Sequence, residues 1–141
     1  MAAINPYLNF NGNAEQAFTH YKSVFGGEFA MVMRFKDVKD NPQIDPSEAE
    51  KLMHIALPIN QNSVLMGSDV PSHYPPVSFG SNFSISVSAG SEAETDKLFA
   101  GLSEGGKILM PLEKTFWGAY FGMCMDQFGV SWMVSFDQNP R

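Results

Sequence analysis

One order of elements occurs twice in this chain. A strand, a helix, a Gly-Gly pair and a strand follow one another at residues 4–36 and again at 82–112, with two further strands after each. A repeat near half of the 141-residue length constrains the fold more than any single motif, because each unit has to bury its apolar face in the same way. Each unit reads βαβββ. One helix beside hairpin-linked strands is an α+β arrangement. The expected organisation is a single domain with a first module at 1–69, a linker at 70–81 and a second module at 82–141. The linker holds three prolines and no periodicity.

Local patterns give the elements. In a first strand at 4–10, Asn5, Tyr7 and Asn9 share one face, and Ile4, Leu8 and Phe10 share the other. Asn13 is an N-cap with Gln16 as its capping-box partner. Ala14, Ala17, Phe18, Tyr21, Val24 and Phe25 form one apolar helical stripe, ended by Gly26-Gly27. Further strands are expected at 28–36, 51–58 and 63–68, with Leu52, His54 and Ala56 on one face of the third. Residues 37–49 read as a surface loop. In the second module, a strand at 82–88 sets Phe83, Ile85 and Val87 against Asn82, Ser84, Ser86 and Ser88. Ser91, with Glu94, caps a helix whose apolar face is Leu98, Phe99 and Leu102. Gly105-Gly106 stops it before a strand at 107–112. Two last strands flank the turn Asp126-Gln127-Phe128-Gly129. Trp117, Ala119, Phe121, Met123 and Met125 are expected on the buried face of one; Trp132, Val134 and Phe136 share a face of the other.

Composition narrows the function. The net charge of −6 and the lack of a basic cluster argue against nucleic acid and against anionic membranes as partners. One cysteine excludes an internal disulfide and a cysteine-built zinc site, and it suits a reducing cytoplasm. No signal peptide is expected at the first residues, and no apolar run reaches membrane-spanning length.

Several motifs carry a resemblance. They are Pro6-Tyr7-Leu8-Asn9-Phe10-Asn11-Gly12-Asn13-Ala14, Phe25-Gly26-Gly27, Met66-Gly67-Ser68-Asp69, Thr115-Phe116-Trp117-Gly118 and Asp126-Gln127-Phe128-Gly129-Val130-Ser131-Trp132-Met133. With the repeat, they make the chain similar to the PhnB-like branch of the vicinal-oxygen-chelate superfamily, which includes glyoxalase I, bleomycin-resistance proteins and extradiol dioxygenases. The resemblance implies two βαβββ modules forming cup-shaped sheets, a small-molecule ligand and a homodimer. It also implies metal-ligand places on the first and fourth strands of each half, which fall at Asn5, Met66, Asn82 and Met133. Amide oxygens and thioethers suit hard divalent ions poorly, so no metal and no cofactor is expected. Related sequences also carry a ubiquinone-pathway methyltransferase label, but this chain has no glycine-rich turn of the Rossmann type.

The expected ligand-binding residues are Tyr7, Asn9, His54, Asn82, Ser84, Trp117 and Met133, in a cup without carboxylates that also takes Ser86, Ser131 and Ser135. His54 is the one acid–base candidate there, with a structural role as the plainer reading. Cys124 reads as a buried thiol. His20 and His73 are not spaced as metal partners of His54. Two functions follow: a binding module with a metal-free cup, or a metal-dependent or His-assisted lyase, isomerase or oxygenase.

Overall fold

A computed structural model describes residues 1–38 and 44–138. It is α+β. Two units, Met1–Ser78 and Phe79–Arg141, each hold a four-stranded mixed sheet and one long helix among the described residues. The first unit contains β1 (Tyr7–Phe10), α1 (Ala14–Phe25), β2 (Met31–Arg34), β3 (Leu52–Pro58) and β4 (Val64–Asp69). Its sheet runs β1-β4-β3-β2, with β1 parallel to β4 and the other pairs antiparallel. The second unit contains β5 (Ile85–Ser88), α2 (Glu92–Ser103), β6 (Lys107–Lys114), β7 (Ala119–Met125) and β8 (Ser131–Asp137). Its order, β5-β8-β7-β6, repeats the first topology. Of the loop expected at 37–49, residues 39–43 lie outside the described ones.

The strands are mostly shorter than their apolar patterns suggest. Ile4 is almost wholly exposed and precedes β1. Asn82, Phe83 and Ser84 precede β5. Leu8 and Phe10 are buried as expected, with Phe18 set edge-on to Phe10 at 6.2 Å.

The start of α1 differs from the capping-box expectation. Asn13 makes no side-chain cap bond. Instead the buried Asp69, at the end of β4, accepts the N–H groups of Gly12 (3.0 Å) and Ala14 (2.9 Å) through Oδ1, and that of Leu52 (2.9 Å) through Oδ2. A charged acceptor at a helix N-terminus satisfies orphan donors and meets the positive end of the helix dipole, so it displaces the neutral amide. At α2 the local prediction holds: Ser91 Oγ accepts the Glu94 N–H at 3.0 Å, while Glu94 accepts from Gly90 N–H at 2.8 Å.

Two register details decide which face is buried. In β3 the pairing slips between Met33 and Arg34, so the chain takes an extra residue at Met53. Leu52 is therefore fully buried rather than sharing the half-exposed face of His54. In β7 Ala119 is buried as expected, but from Phe121 onward the expectation inverts. Phe121, Met123 and Met125 are half-exposed, while Gly122 and Cys124 are buried. The reason is packing: a Cβ on Gly122 would come within 2.9 Å of both Phe99 of α2 and Leu112, so only a small residue fits beneath the helix.

Candidate functional site

The strand pairings define the open face of the first sheet. Tyr7 of β1 lies beside Met66 of β4, Met66 beside Ala56 of β3, and Ala56 beside Met31 of β2. Asn9, Ser68, His54 and Met33 follow on the same face by the two-residue period. The alternate residues Leu8, Leu65, Gly67 and Ile55 are buried on the helix side. The Tyr7 hydroxyl reaches over β4 to within 3.2 Å of His54 Nδ1, with ring centroids 5.6 Å apart and tilted by 31°. Tyr7 is 44% exposed and His54 is half-buried, so both rings can meet a solute. Asn9 is exposed beside them. Sequence spacing does not show this bond, because the partners lie 47 residues apart.

The second sheet's open face is built alike from different side chains. Ser86 of β5 lies beside Met133 of β8, and Met133 beside Met123 of β7. One step along, Ser88, Ser135 and Phe121 form a row that ends at Glu113 of β6. Glu113 was missed by the sequence reading, which expected no carboxylate on this surface; the irregular β6–β7 register brings it opposite Phe121. Ser131 is buried, Ser84 is half-buried ahead of β5, and Asn82 is exposed outside the strand.

Trp117 lies at the tip of the β6–β7 hairpin, not inside a strand. Thr115 to Gly118 is a tight turn in which Gly118 N–H donates to the Thr115 carbonyl at 3.2 Å. Gly118 has φ +93°, a left-handed value that favours glycine. The Thr115 side chain fixes the turn: its hydroxyl donates to the Ala119 carbonyl at 2.8 Å and accepts the Ala119 N–H at 3.1 Å. Phe116 is then 97% exposed and Trp117 58% exposed. Trp117 packs edge-on with Phe116 at 5.0 Å and with Phe121 at 6.1 Å, joining the turn to the open face of this sheet.

The metal places expected from the resemblance do not fit an ion. Asn5 Oδ1 is occupied by the Val64 N–H at 3.0 Å, and the residue beside Met66 is Tyr7. Beside Met133 stands Ser86, and Asn82 is outside the strand. Phenol, hydroxyl and two thioethers remain, a poor set for zinc, nickel or iron. Among the described residues no three His, Cys, Asp or Glu side chains are grouped to hold an ion. Cys124 is fully buried, and burial, followed by the charge of Asp126, pushes its thiol up to about 11, which removes it as a nucleophile near neutrality. His20 is half-buried, its carbonyl accepting from Ser23 Oγ, and His73 is exposed against Tyr74 at 4.6 Å.

Comparison with known proteins places this fold. The family model described as 3-demethylubiquinone-9 3-methyltransferase matches residues 2–135. The chain belongs to that family. Protein PA1353 from Pseudomonas aeruginosa is 40% identical, with a TM-score of 0.86 over 99% of this chain and 100% of its own. The PhnB protein from Bacillus cereus is 28% identical, with a TM-score of 0.77 over 96% of this chain and 99% of its own. Protein YjdN of Escherichia coli is 29% identical over 94% of this chain and 93% of its own length. A glyoxalase/bleomycin resistance protein from Albidiferax ferrireducens, at 14% identity, shares the fold alone, with a TM-score of 0.65 over 96% of this chain and 97% of its own. The protein is therefore PhnB-like, with the fold seen in glyoxalase/bleomycin resistance proteins. Its two mixed sheets, each with one helix, differ from the doubly wound parallel sheet of Rossmann-type folds.

Proposed function

We propose that this PhnB-like protein binds a small polar or aromatic molecule on the open faces of its sheets without a divalent metal. The observation that carries the reading is the donor set: Tyr7, Asn9 and His54 on one sheet, and Ser86, Ser88, Ser135 and Met133 on the other, with Glu113 only at an edge. Such surfaces orient a ligand by hydrogen bonds and soft contacts rather than by Lewis-acid coordination. Trp117, linked to Phe121, gives a planar ligand a ring to stack on. Titration with a set of small planar polar compounds, followed by NMR, tests this. The expected result is shifts at Tyr7, His54 or Trp117 that persist in EDTA. Stoichiometric zinc, nickel, manganese or iron in protein purified without chelator would sink the metal-free reading.

The His-assisted alternative has one specific support, the Tyr7–His54 hydrogen bond, because it holds an imidazole in a defined orientation. A homodimer also belongs to this proposal. Met31 and Val32 on the edge strand of one sheet, and Ile108, Leu109 and Met110 on the edge strand of the other, are each more than 40% exposed, apolar side chains that a second copy would cover. Light scattering at micromolar concentration should give twice the chain mass; the mass of one chain would reject it. No described helix is long and apolar enough to cross a membrane. With its lone cysteine as a buried free thiol, we assign the protein to the cytoplasm.

A further inference from the structure

We propose that the second sheet takes a planar organic cation, held between the Glu113 carboxylate and the rings of Phe121 and Trp117. The proposal rests on the reading that the open sheet faces receive small molecules, and it assigns the charge of what the second face receives.

The neighbours of Glu113 fix the side on which it stands. Lys114 and Tyr120, the next pair along β6 and β7, both reach α2. Lys114 Nζ lies 3.6 Å from Glu92, and the Tyr120 hydroxyl donates to Asp96 at 2.6 Å. Leu112 is on the helix side as well, because a Cβ on Gly122 would stand 2.9 Å from both it and Phe99 of α2. Successive residues of a strand point to opposite faces, so Glu113 and Phe121 point away from the helix. The two are direct partners across the strands. Antiparallel partners have Cα atoms about 4.5–5.5 Å apart, so the carboxylate and the ring stand side by side.

The carboxylate is unanswered. Glu113 is exposed, and among the described residues it makes no hydrogen bond or ion pair. Lys114, the adjacent cation in the sequence, is engaged with Glu92 on the other face. The chain as a whole carries a net charge of −6, which favours the approach of a cation over that of an anion.

The rings supply the second half of the site. Trp117 lies 6.1 Å from Phe121 with the ring planes inclined at 63°, and Phe116 supports Trp117 edge-on from 5.0 Å. Trp117 is 58% exposed and Phe121 half-buried, so both leave ring surface open to a solute. The face of an aromatic ring is electronegative and attracts a cation within about 6 Å of its centroid. Glu113 stands beside that surface, so one cation can meet ring and carboxylate together. An uncharged ligand gains the stacking alone, and an anion meets repulsion from both. A flat, delocalised cation suits the site better than a compact ammonium. Its plane matches the rings, and its diffuse charge is more weakly hydrated and loses less on leaving water.

The experiment compares three planar probes of similar size by NMR titration in mildly alkaline buffer: 1-methylquinolinium, uncharged 4-methylquinoline and 1-naphthoate. The cation should bind about tenfold more tightly than the uncharged probe, the combined reach of a cation–π contact and an exposed ion pair, and naphthoate more weakly than either. Resonances of Trp117 and Phe121 should shift with the cation. Glu113→Gln should lower cation affinity by about threefold to fivefold and leave the uncharged probe unchanged, and added salt should weaken the cation alone. Trp117→Leu should weaken both. Both side chains are exposed, so the two variants should melt as the wild type does. Equal binding of the cation and the uncharged probe overturns the proposal and leaves the binding function standing. An undiminished preference for the cation in Glu113→Gln overturns it too, as does a cation that shifts only the first sheet. If no small molecule of any charge shifts either open face, the binding function and the proposal fall together.

Discussion

Both halves seat a helix phenylalanine against a strand glycine, but not on the same strand. In the first, Phe18 of α1 lies over Gly67 of β4; in the second, Phe99 of α2 lies over Gly122 of β7. The shared topology fixes the need for a close helix–sheet approach and leaves open which strand supplies the gap. The open faces diverge further: one carries the Tyr7–His54 pair, the other serines, methionines and Phe121 beside the aromatic turn. Packing against a helix restrains the buried faces to small or apolar side chains, whereas the outer faces carry no such restraint.

The largest expected effect separates the two tryptophans. Trp132 is 1% exposed, and its Nε1–H donates to Asp126 at 2.8 Å. Trp132→Ala should cost about 3–5 kcal/mol in urea unfolding. Trp117→Ala should cost about 0.5 kcal/mol or less, because its ring is mostly in water. Equal losses would return Trp117 to the core.

Next come the two buried aspartates, one in each half. Asp69, at the end of β4, holds three backbone N–H groups, two at the start of α1 and one in β3. Asp126 holds the N–H groups of Phe128 and Val130 together with the Trp132 indole. Asp69→Ala and Asp126→Ala should each destabilise by about 2–3 kcal/mol or more, because buried donors lose a charged acceptor. A change below about 1 kcal/mol at either site would mean that water replaces the carboxylate there.

The glycine comparison gives a smaller, ordered pair of effects. On Gly67 a Cβ meets the Leu8 carbonyl oxygen at 2.7 Å as well as Phe18; on Gly122 the nearest atoms it meets belong to the side chains of Leu112 and Phe99. Side chains can rotate away and a sheet carbonyl cannot. Both Ala substitutions should fall in the range of about 1–3 kcal/mol, with Gly67→Ala the costlier. The reverse order would show that the second helix is the more rigidly held.

The smallest effect is on pH dependence. Burial raises the Cys124 thiol from 9.0 to about 11, so the folded state favours the protonated form. Its contribution is complete below pH 9 and fades as pH rises through about 11. Between those values the stability of the wild type should fall faster than that of Cys124→Ala. Parallel curves would show that the thiol titrates normally.

Much of the fold was legible in the sequence. The doubled order of elements, the apolar stripe of α1, the Ser91 cap and the alternating faces of β8 follow from local periodicity and short-range hydrogen bonding, which sequence displays directly. The Gly-Gly helix stops were legible for the same reason: Gly26, Gly27 and Gly105 all take positive φ. The candidate site was legible only as a list. Tyr7, Asn9, His54 and Met133 were named, but Asn82 stands outside its strand and Glu113 was missed.

Tertiary structure decided the rest, and each case turns on a contact between distant residues. Periodicity says which residues alternate; it does not say which set meets a helix. In β7 the larger side chains stayed outside because Phe99 leaves no room beneath it. The cap of α1 came from Asp69, 55 residues beyond Ala14, because a carboxylate outcompetes a neighbouring amide for backbone donors. The bulge at Met53 turned Leu52 inward and kept His54 outward, where the Tyr7 hydroxyl reaches it.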